Sequence, residues 1–462
     1  MSAGRDGSTG GAADAAAGGA GIGRRGLLGA LGAAGALAAL PGLAAPAAAG
    51  TAAAAAPGRP GGVRPGRVVP GVDVLAARGW SDLAGQRVGV VTNPTGVLMD
   101  LRHEVDVMAA SGTVDLVAVF GPEHGFRGTA QAGDSEGTYV DERTGVTVYD
   151  AYGADADALA ALYRQADVET VVFDIQDVGS RFYTYIWTMY DAMVAAARTG
   201  VRFVVLDRPN PVGGYARGPM MTTPYTTFVG KKEIVQQHGM TVGELARYFD
   251  AEFLAEEAGR RLTDLHVVEV DGWRRELVFA DTGLPWVAPS PNMPTPDTAL
   301  LYPGTCLFEG TLSSEGRGTT RPFEWVGDPA YDWRWAEAVA GYDISGVAVR
   351  EAYFTPTFSK HAGQVCAGLQ VHVTDRTRVE AITVAVAMLV EARRTYPDFA
   401  WRQDAWDTAR PYWVDKLSGS PRLREMVDAG ASVAEVEGAW AEELAAFERR
   451  RGPHLLYRGR RR

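Results

Sequence analysis

The sequence predicts an α/β protein: a parallel sheet with helices on both faces, followed by a smaller α+β domain. Two observations carry this. From about Val68 to about Asp281 one theme repeats, a short apolar run followed by a polar loop and then a helical stretch, as parallel strands joined by helical crossovers require. In addition, 46% of the 462 residues are hydrophobic and 22% charged, enough to bury a sizeable core in two domains. The expected divisions are a leader over 1–67, the α/β domain over 68–283 and the α+β domain over 284–462.

The leader is almost wholly Ala, Gly, Pro and Arg, a composition that cannot build a packed core. Arg24 and Arg25 precede a moderately apolar stretch that runs to small residues at Ala47 to Ala49, the layout of a twin-arginine export signal. Rich in Ala and Gly and broken by Pro41, that stretch is a poor membrane span, and no later apolar run is long enough to cross a bilayer. The expectation is an exported protein, extracellular or in the cell envelope.

Four segments read as buried strands ending in polar loops: "QRVGVVTNPTG", "VDLVAVFGPEHG", "VETVVFDIQDVGSRFYTY" and "VRFVVLDRPNPVGG". A helix is expected over Tyr185 to Arg198 with Gly200 as its stop. In "HGMTVGELARYFDAEFLAEEAG", Thr241 and Glu244 have capping-box spacing, and Leu245, Tyr248, Phe249 and Phe253 mark an apolar face. The Pro, Gly and Thr-rich passage from Asp281 to Gly327 is too long for an ordinary connector, so it reads as a functional loop system or a linker. Its aromatic residues, Trp286, Tyr302, Phe308, Phe323 and Trp325, argue against disorder. Beyond it lie a strand in "GQVCAGLQVHVTD" and a helix through "VEAITVAVAMLVEARRTYP".

The formal charge of -11 argues against a nucleic-acid partner. Cys306 and Cys366 lack zinc-site spacing and leave pairing open, and the seven histidines form no metal-binding helix pair, so no metal is expected. Dinucleotide, Walker and Gly-x-Ser-x-Gly signatures are missing, so no cofactor is expected either.

In an open parallel sheet, ligands bind outside the carboxyl ends of the strands. The strand ends here carry Asn93; Glu123, His124 and Arg127; Asp174, Gln176, Asp177 and Arg181; and Asp207, Arg208 and Asn210. Asp174 or Asp207 alone also fits a helix cap or turn former, and Arg208 a partner for a carboxylate. Together these carboxylates, amides and neighbouring aromatics are the chemistry of carbohydrate sites. Glycosidic cleavage needs a carboxyl to protonate the leaving oxygen and a second group to support the oxocarbenium-like centre. Glu123, on a glycine-hinged loop and shielded by Phe120 and Phe126, is the candidate acid. Asp174, Asp177 or Glu315 is the candidate partner.

The stretches "FGPEHGFRG", "AGDSEG", "FDIQDVGSRFYTYIWTM", "LDRPNPVGG", "FVGKKEIVQQHGMTVGELA", "WVAPSPNMPT", "YPGTCLFEGTLSSEGRGTTRPFEWVG" and the terminal "LLYR" resemble the exo-β-N-acetylmuramidases of the NamZ type, from about Gly71 to Tyr457. The resemblance implies a glycosidase releasing N-acetylmuramic acid from the non-reducing end of peptidoglycan fragments. It also implies a Rossmann-like domain whose active cleft faces a smaller C-terminal domain. Glu123 then becomes the leading catalytic residue, with His124 beside it. Gln237 and His238 stand where the family shows an Arg-His pair, which weakens a charged contact there. Muramic acid carries a lactyl carboxylate and an acetamide. Arg317, Arg181 and Arg208 are candidates for the first, Asn292 and Gln176 for the second, and Tyr183, Tyr185 and Trp187 for an apolar wall. A second route open to such a sugar has the acetamide as the nucleophile, oriented by Asp174 or Asp177. The alternative is a non-catalytic amino-sugar or muropeptide binding protein of the cell envelope, and a third reading is a hydrolase of other amino sugars or wall peptides.

Overall fold

The structure, a computed structural model, describes residues 67–129 and 136–459. Apart from Arg67, the expected leader lies outside the described residues.

Seven strands form the central sheet: β1 (Arg87–Thr92), β2 (Asp115–Gly121), β3 (Tyr139–Val140), β4 (Thr147–Asp150), β5 (Thr170–Asp174), β6 (Arg202–Leu206) and, after the antiparallel pair β7 (Arg217–Met220) and β8 (Val235–Gln237), β9 (Leu265–Val268). Their order is β3-β4-β2-β1-β5-β6-β9, and every pairing is parallel except the edge pair β3-β4. The central strands are apolar on both sides because both are covered. Val171, Phe173, Phe203 and Val205 enter one core with the helices Ala156–Gln165, Tyr185–Thr199 and Val242–Phe249. Their neighbours Val172 and Val204 enter a second core with the helices Gly71–Ala77 and Glu104–Ser111. That alternation is the strand period of two.

Local signals act as read. The helix Tyr185–Thr199 ends at Gly200, which adopts the left-handed conformation. Thr241 accepts from the Glu244 amide while Glu244 accepts from the Thr241 amide, closing the capping box.

The passage from Asp281 to Gly327 differs from its expectation as a loop system or linker, since it contains the helix Pro296–Thr305. Thr295 caps this helix, and Pro296 takes the first position, where the missing N–H costs nothing. Gly304 is required by close approach, because a Cβ there would lie 1.8 Å from the Ala381 carbonyl oxygen. The helix thus packs directly on the helix Ala381–Thr395.

A three-stranded antiparallel sheet, β10 (Trp325–Asp328), β11 (Val347–Phe354) and β12 (Cys366–Val373), occupies the C-terminal part with β12 in the middle. The first core continues into this part through Phe308, Trp335, Val384 and Leu389, so one apolar interior underlies both sheets. Cys306 and Cys366 are free, buried thiols. Among the described residues no helix is long and apolar enough to cross a membrane.

Candidate active site

The chain leaves β2 through the turn Pro122–Gly125, closed by the Gly125 amide on the Pro122 carbonyl at 2.9 Å. His124 lies at φ 71 within it, a left-handed conformation that costs a non-glycine residue about 1 kcal/mol or more. Gly125 follows at φ 78, and a Cβ there would collide with the Glu136 side chain at 2.1 Å. This strained, hinged corner places Glu123 and His124 on the wall of a cavity of about 190 Å³. The Thr184 hydroxyl, at the start of the helix Tyr185–Thr199, donates to Glu123 Oε2 across 3.3 Å. Tyr185 reaches from the same turn to the other wall, where its hydroxyl donates to the Pro289 carbonyl at 2.8 Å.

That other wall comes from the segment after β9. Ser290 and Asn292 line it together with Glu309 and Arg317, while Tyr183, Tyr302, Phe228 and Trp413 supply rings. Tyr183 is packed edge-on against both Tyr185 and Tyr302. Burial pushes the Tyr183 phenol well above its ordinary pKa, so it remains a neutral donor. Arg317 donates to Glu309 Oε1 at 2.6 Å, its Nε lies 3.3 Å from Glu315 Oε1, and its guanidinium sits 5.0 Å above the Phe323 ring. Burial opposes its charge, but the two carboxylates outweigh that and hold it firmly cationic.

Six of the residues expected at the site therefore come together: Glu123, His124, Tyr183, Tyr185, Asn292 and Arg317. Trp187, expected in the apolar wall, is buried with its indole N–H on the Arg181 carbonyl at 2.7 Å and borders a neighbouring cavity that Glu123 also lines; the others are committed elsewhere. Glu315 is buried behind Arg317 with its Oε2 on the Lys360 ammonium at 2.8 Å, so it is a counter-charge and not an open carboxyl. Asp174, fully buried, pairs in a fork with Arg208, at 2.8 Å between Oδ2 and Nη2. That pair removes both the proposed second carboxylate and one proposed cation. Glu104 lies beside it, and burial, with repulsion from Asp174 second, pushes its carboxyl far up. Asp177 Oδ2 accepts from the Gly179 amide at 2.7 Å and lies 3.1 Å from His238 Nε2, whose Nδ1 accepts from the Met240 amide.

Arg181 is another correction. Its guanidinium is fully buried and donates to the carbonyls of Pro219, Ile234 and Leu417, and burial lowers its pKa to about 9. It ties three segments together inside the core. Arg127 bridges Asp106 and Asp141 at 2.9 Å each, pinning the loop beyond Glu123 to its neighbours. Asp207 accepts from Tyr457, Thr241 and the Gly243 amide, and burial raises its carboxyl to about 7. This explains the terminal "LLYR": Tyr457 closes the chain onto the end of β6. Asn93 accepts from Thr95, and Asn210 donates to the Met240 carbonyl, both as turn formers. Gln176 spends its amide on the Asp177 and Pro209 carbonyls and borders a void of about 20 Å³ with Arg208, roughly room for one water.

Phe120 and Phe126, expected to shield Glu123, are fully buried, packing on Tyr163 and His103 respectively. The rings around Glu123 are instead Tyr183, Tyr185 and Phe228. Sequence reasoning also passed over Glu309, Thr184 and Ser290. Glu309 had a visible signal, a carboxylate beside glycine in the aromatic passage "LFEGTLSSEGRG". Among the described residues no group of three or more His, Cys, Asp or Glu side chains can hold a metal ion.

Residues 88–297 match the family description "Exo-beta-N-acetylmuramidase NamZ, N-terminal", and residues 300–457 match "Exo-beta-N-acetylmuramidase NamZ, C-terminal". The peptidoglycan beta-N-acetylmuramidase NamZ of Bacillus subtilis is 43% identical over 394 residues, which are 85% of this chain and 92% of that protein. Two solved DUF1343 family proteins of Bacteroides fragilis superpose with TM-scores of 0.73 and 0.68 at 32% and 29% identity. Each covers 85% of this chain, and 100% and 99% of the solved chains are matched. The chain belongs to the exo-β-N-acetylmuramidase NamZ family.

Proposed function

We propose that the protein is an exo-acting glycoside hydrolase that releases N-acetylmuramic acid from the non-reducing end of peptidoglycan fragments. The supporting observation is a cavity that pairs a carboxyl on a strained corner, Glu123, with a guanidinium, Arg317. Muramic acid differs from glucosamine by its lactyl carboxylate, and a half-buried cation rewards that group. The Arg317 guanidinium has more donors than Glu309 and Glu315 use.

In this reading Glu123 gives its proton to the bridging oxygen as the bond from that oxygen to the anomeric carbon breaks. The oxygen leaves as a hydroxyl of the next sugar. Water then adds to the anomeric carbon and its proton restores the Glu123 carboxyl, so one water is consumed per bond cleaved. Asn292 and Ser290 supply polar contacts for the acetamide, and Tyr183 and Tyr302 the apolar wall. Glu309 fixes Arg317.

Export by the twin-arginine route belongs to the same proposal, supported by Arg24, Arg25 and the apolar stretch after them. Cell fractionation of the wild type against a version with both arginines changed to lysine tests it: loss of export supports the route, and unaltered export contradicts it.

For the activity, the test is purified protein on a chromogenic β-N-acetylmuramide beside the matching β-N-acetylglucosaminide. Release from the muramide alone supports the reading. Equal release from both, or from neither, overturns it.

A further inference from the structure

A second cavity, of about 200 Å³, also borders Glu123. It shares Glu123, Thr184 and Phe228 with the first, so the carboxyl stands at the junction of two spaces of similar size. An acid serving a bond between two sugars must stand where those sugars meet, within hydrogen-bond reach of the bridging oxygen.

The two spaces differ in chemistry. The first holds Arg317, paired with Glu309 and Glu315 but with guanidinium donors beyond those the two carboxylates use, which suit an anionic group. The second holds Lys231, whose ammonium is taken by the Asp191 carboxylate directly beside it, and Asp155, which caps the helix Ala156–Gln165, so the wall is polar and favours no anionic sugar. Two large rings remain in contact with solvent there, Tyr152 at 40% and Phe228 at 59% exposure. Exposed rings grouped around a cavity mark a binding surface more often than a solvated face. A third and wider cavity shares Asp155, Asp191 and Lys231 with the second, so the groove continues away from Glu123 and does not close.

From this geometry we infer that the second cavity is the site for the sugar on the leaving side of the scissile bond, an uncharged 2-acetamido pyranose. Tyr152 is its platform, and the Lys231–Asp191 pair supplies donor and acceptor to its hydroxyls and acetamide. The inference rests on the glycosidase reading and adds to it the residues that select the leaving group. The open third cavity lets a longer glycan extend beyond that sugar without meeting a wall.

The experiment compares two muramyl donors, the β-linked disaccharide of N-acetylmuramic acid on N-acetylglucosamine and β-N-acetylmuramyl fluoride. Fluoride leaves without occupying the second cavity. In Tyr152→Ala, the ratio of kcat/KM for the disaccharide to that for the fluoride falls about tenfold from its wild-type value. Tyr152→Phe, which keeps the ring, restores most of that ratio. A ratio within about twofold of wild type in Tyr152→Ala, with the fluoride still cleaved, overturns the leaving-side assignment alone. Wild-type protein that cleaves neither donor overturns the glycosidase reading and this inference with it.

Discussion

Arg317 reaches Glu309 across 2.6 Å inside the cavity that Glu123 also lines, so a cation and two carboxyls share one space. The charge of Arg317 is held from behind by Glu315, which Lys360 balances in turn. This chain of alternating charge keeps an arginine at a concave surface without leaving it uncompensated.

Arg317→Ala is expected to cut kcat/KM on a muramide by about 10- to 100-fold, since a hydrogen bond to a charged group contributes about 1.5–3 kcal/mol. Activity on a muramide whose lactyl carboxyl is methyl-esterified changes far less, because that substrate lacks the negative charge that Arg317 meets. Parallel kinetics on the two substrates check this, and equal losses on both would remove Arg317 from substrate selection.

Glu309→Gln separates holding Arg317 from taking part in bond cleavage. If Glu309 only fixes Arg317, KM for the muramide rises several-fold while kcat stays within about threefold. A collapse of kcat at unchanged KM would instead place Glu309 at the reacting carbon.

Asp174→Asn leaves the Arg208 guanidinium buried without its counter-charge. Breaking such a pair costs about 3–5 kcal/mol, so denaturant midpoints should fall while KM of the folded fraction holds. Intact stability with lost activity would return Asp174 to the catalytic role that the sequence suggested.

His103 gives a pH signature. Its Nε2–H donates to the Asn93 carbonyl at 3.0 Å and its Nδ1 accepts from the Val105 amide at 3.3 Å, an arrangement only the neutral ring can make. Burial lowers its pKa from 6.5 to about 4, against the raising effect of the Asn93 hydrogen bond. Between those values the unfolded chain binds a proton that the folded chain refuses. Its contribution is therefore complete above pH 6.5 and lost as pH falls toward 4, on the order of 3 kcal/mol. In His103→Asn the fall in melting temperature over that range should shrink, and an unaltered slope would assign the effect to other groups.

The parallel sheet was legible because its strands are buried on both faces and their apolar runs end in turn-forming residues, as at Gly121–Pro122 and Asp207–Arg208–Pro209. Glu123 was legible for the same reason, being a carboxyl on a glycine-hinged corner just past a buried strand. The other strand ends misled because Asp and Asn do two jobs. Asn93, Asp207 and Asn210 satisfy backbone or hydroxyl donors in the crossovers, and one sequence does not distinguish that from ligand binding. Phe228 and Glu309 reach the cavity from segments about a hundred residues or more beyond Glu123, and no local period marks such an arrival. The helix Pro296–Thr305 was hidden by its two prolines, one at its start and one in its last turn.

In the proposed reaction Glu123 protonates the leaving oxygen. The most direct measurement is kcat/KM of Glu123→Gln on a chromogenic β-N-acetylmuramide, with circular dichroism and melting recorded on the same sample. A loss of about 10²- to 10⁴-fold in a protein that melts like the wild type is the expected result. Turnover within about tenfold of wild type in that folded protein would contradict the account.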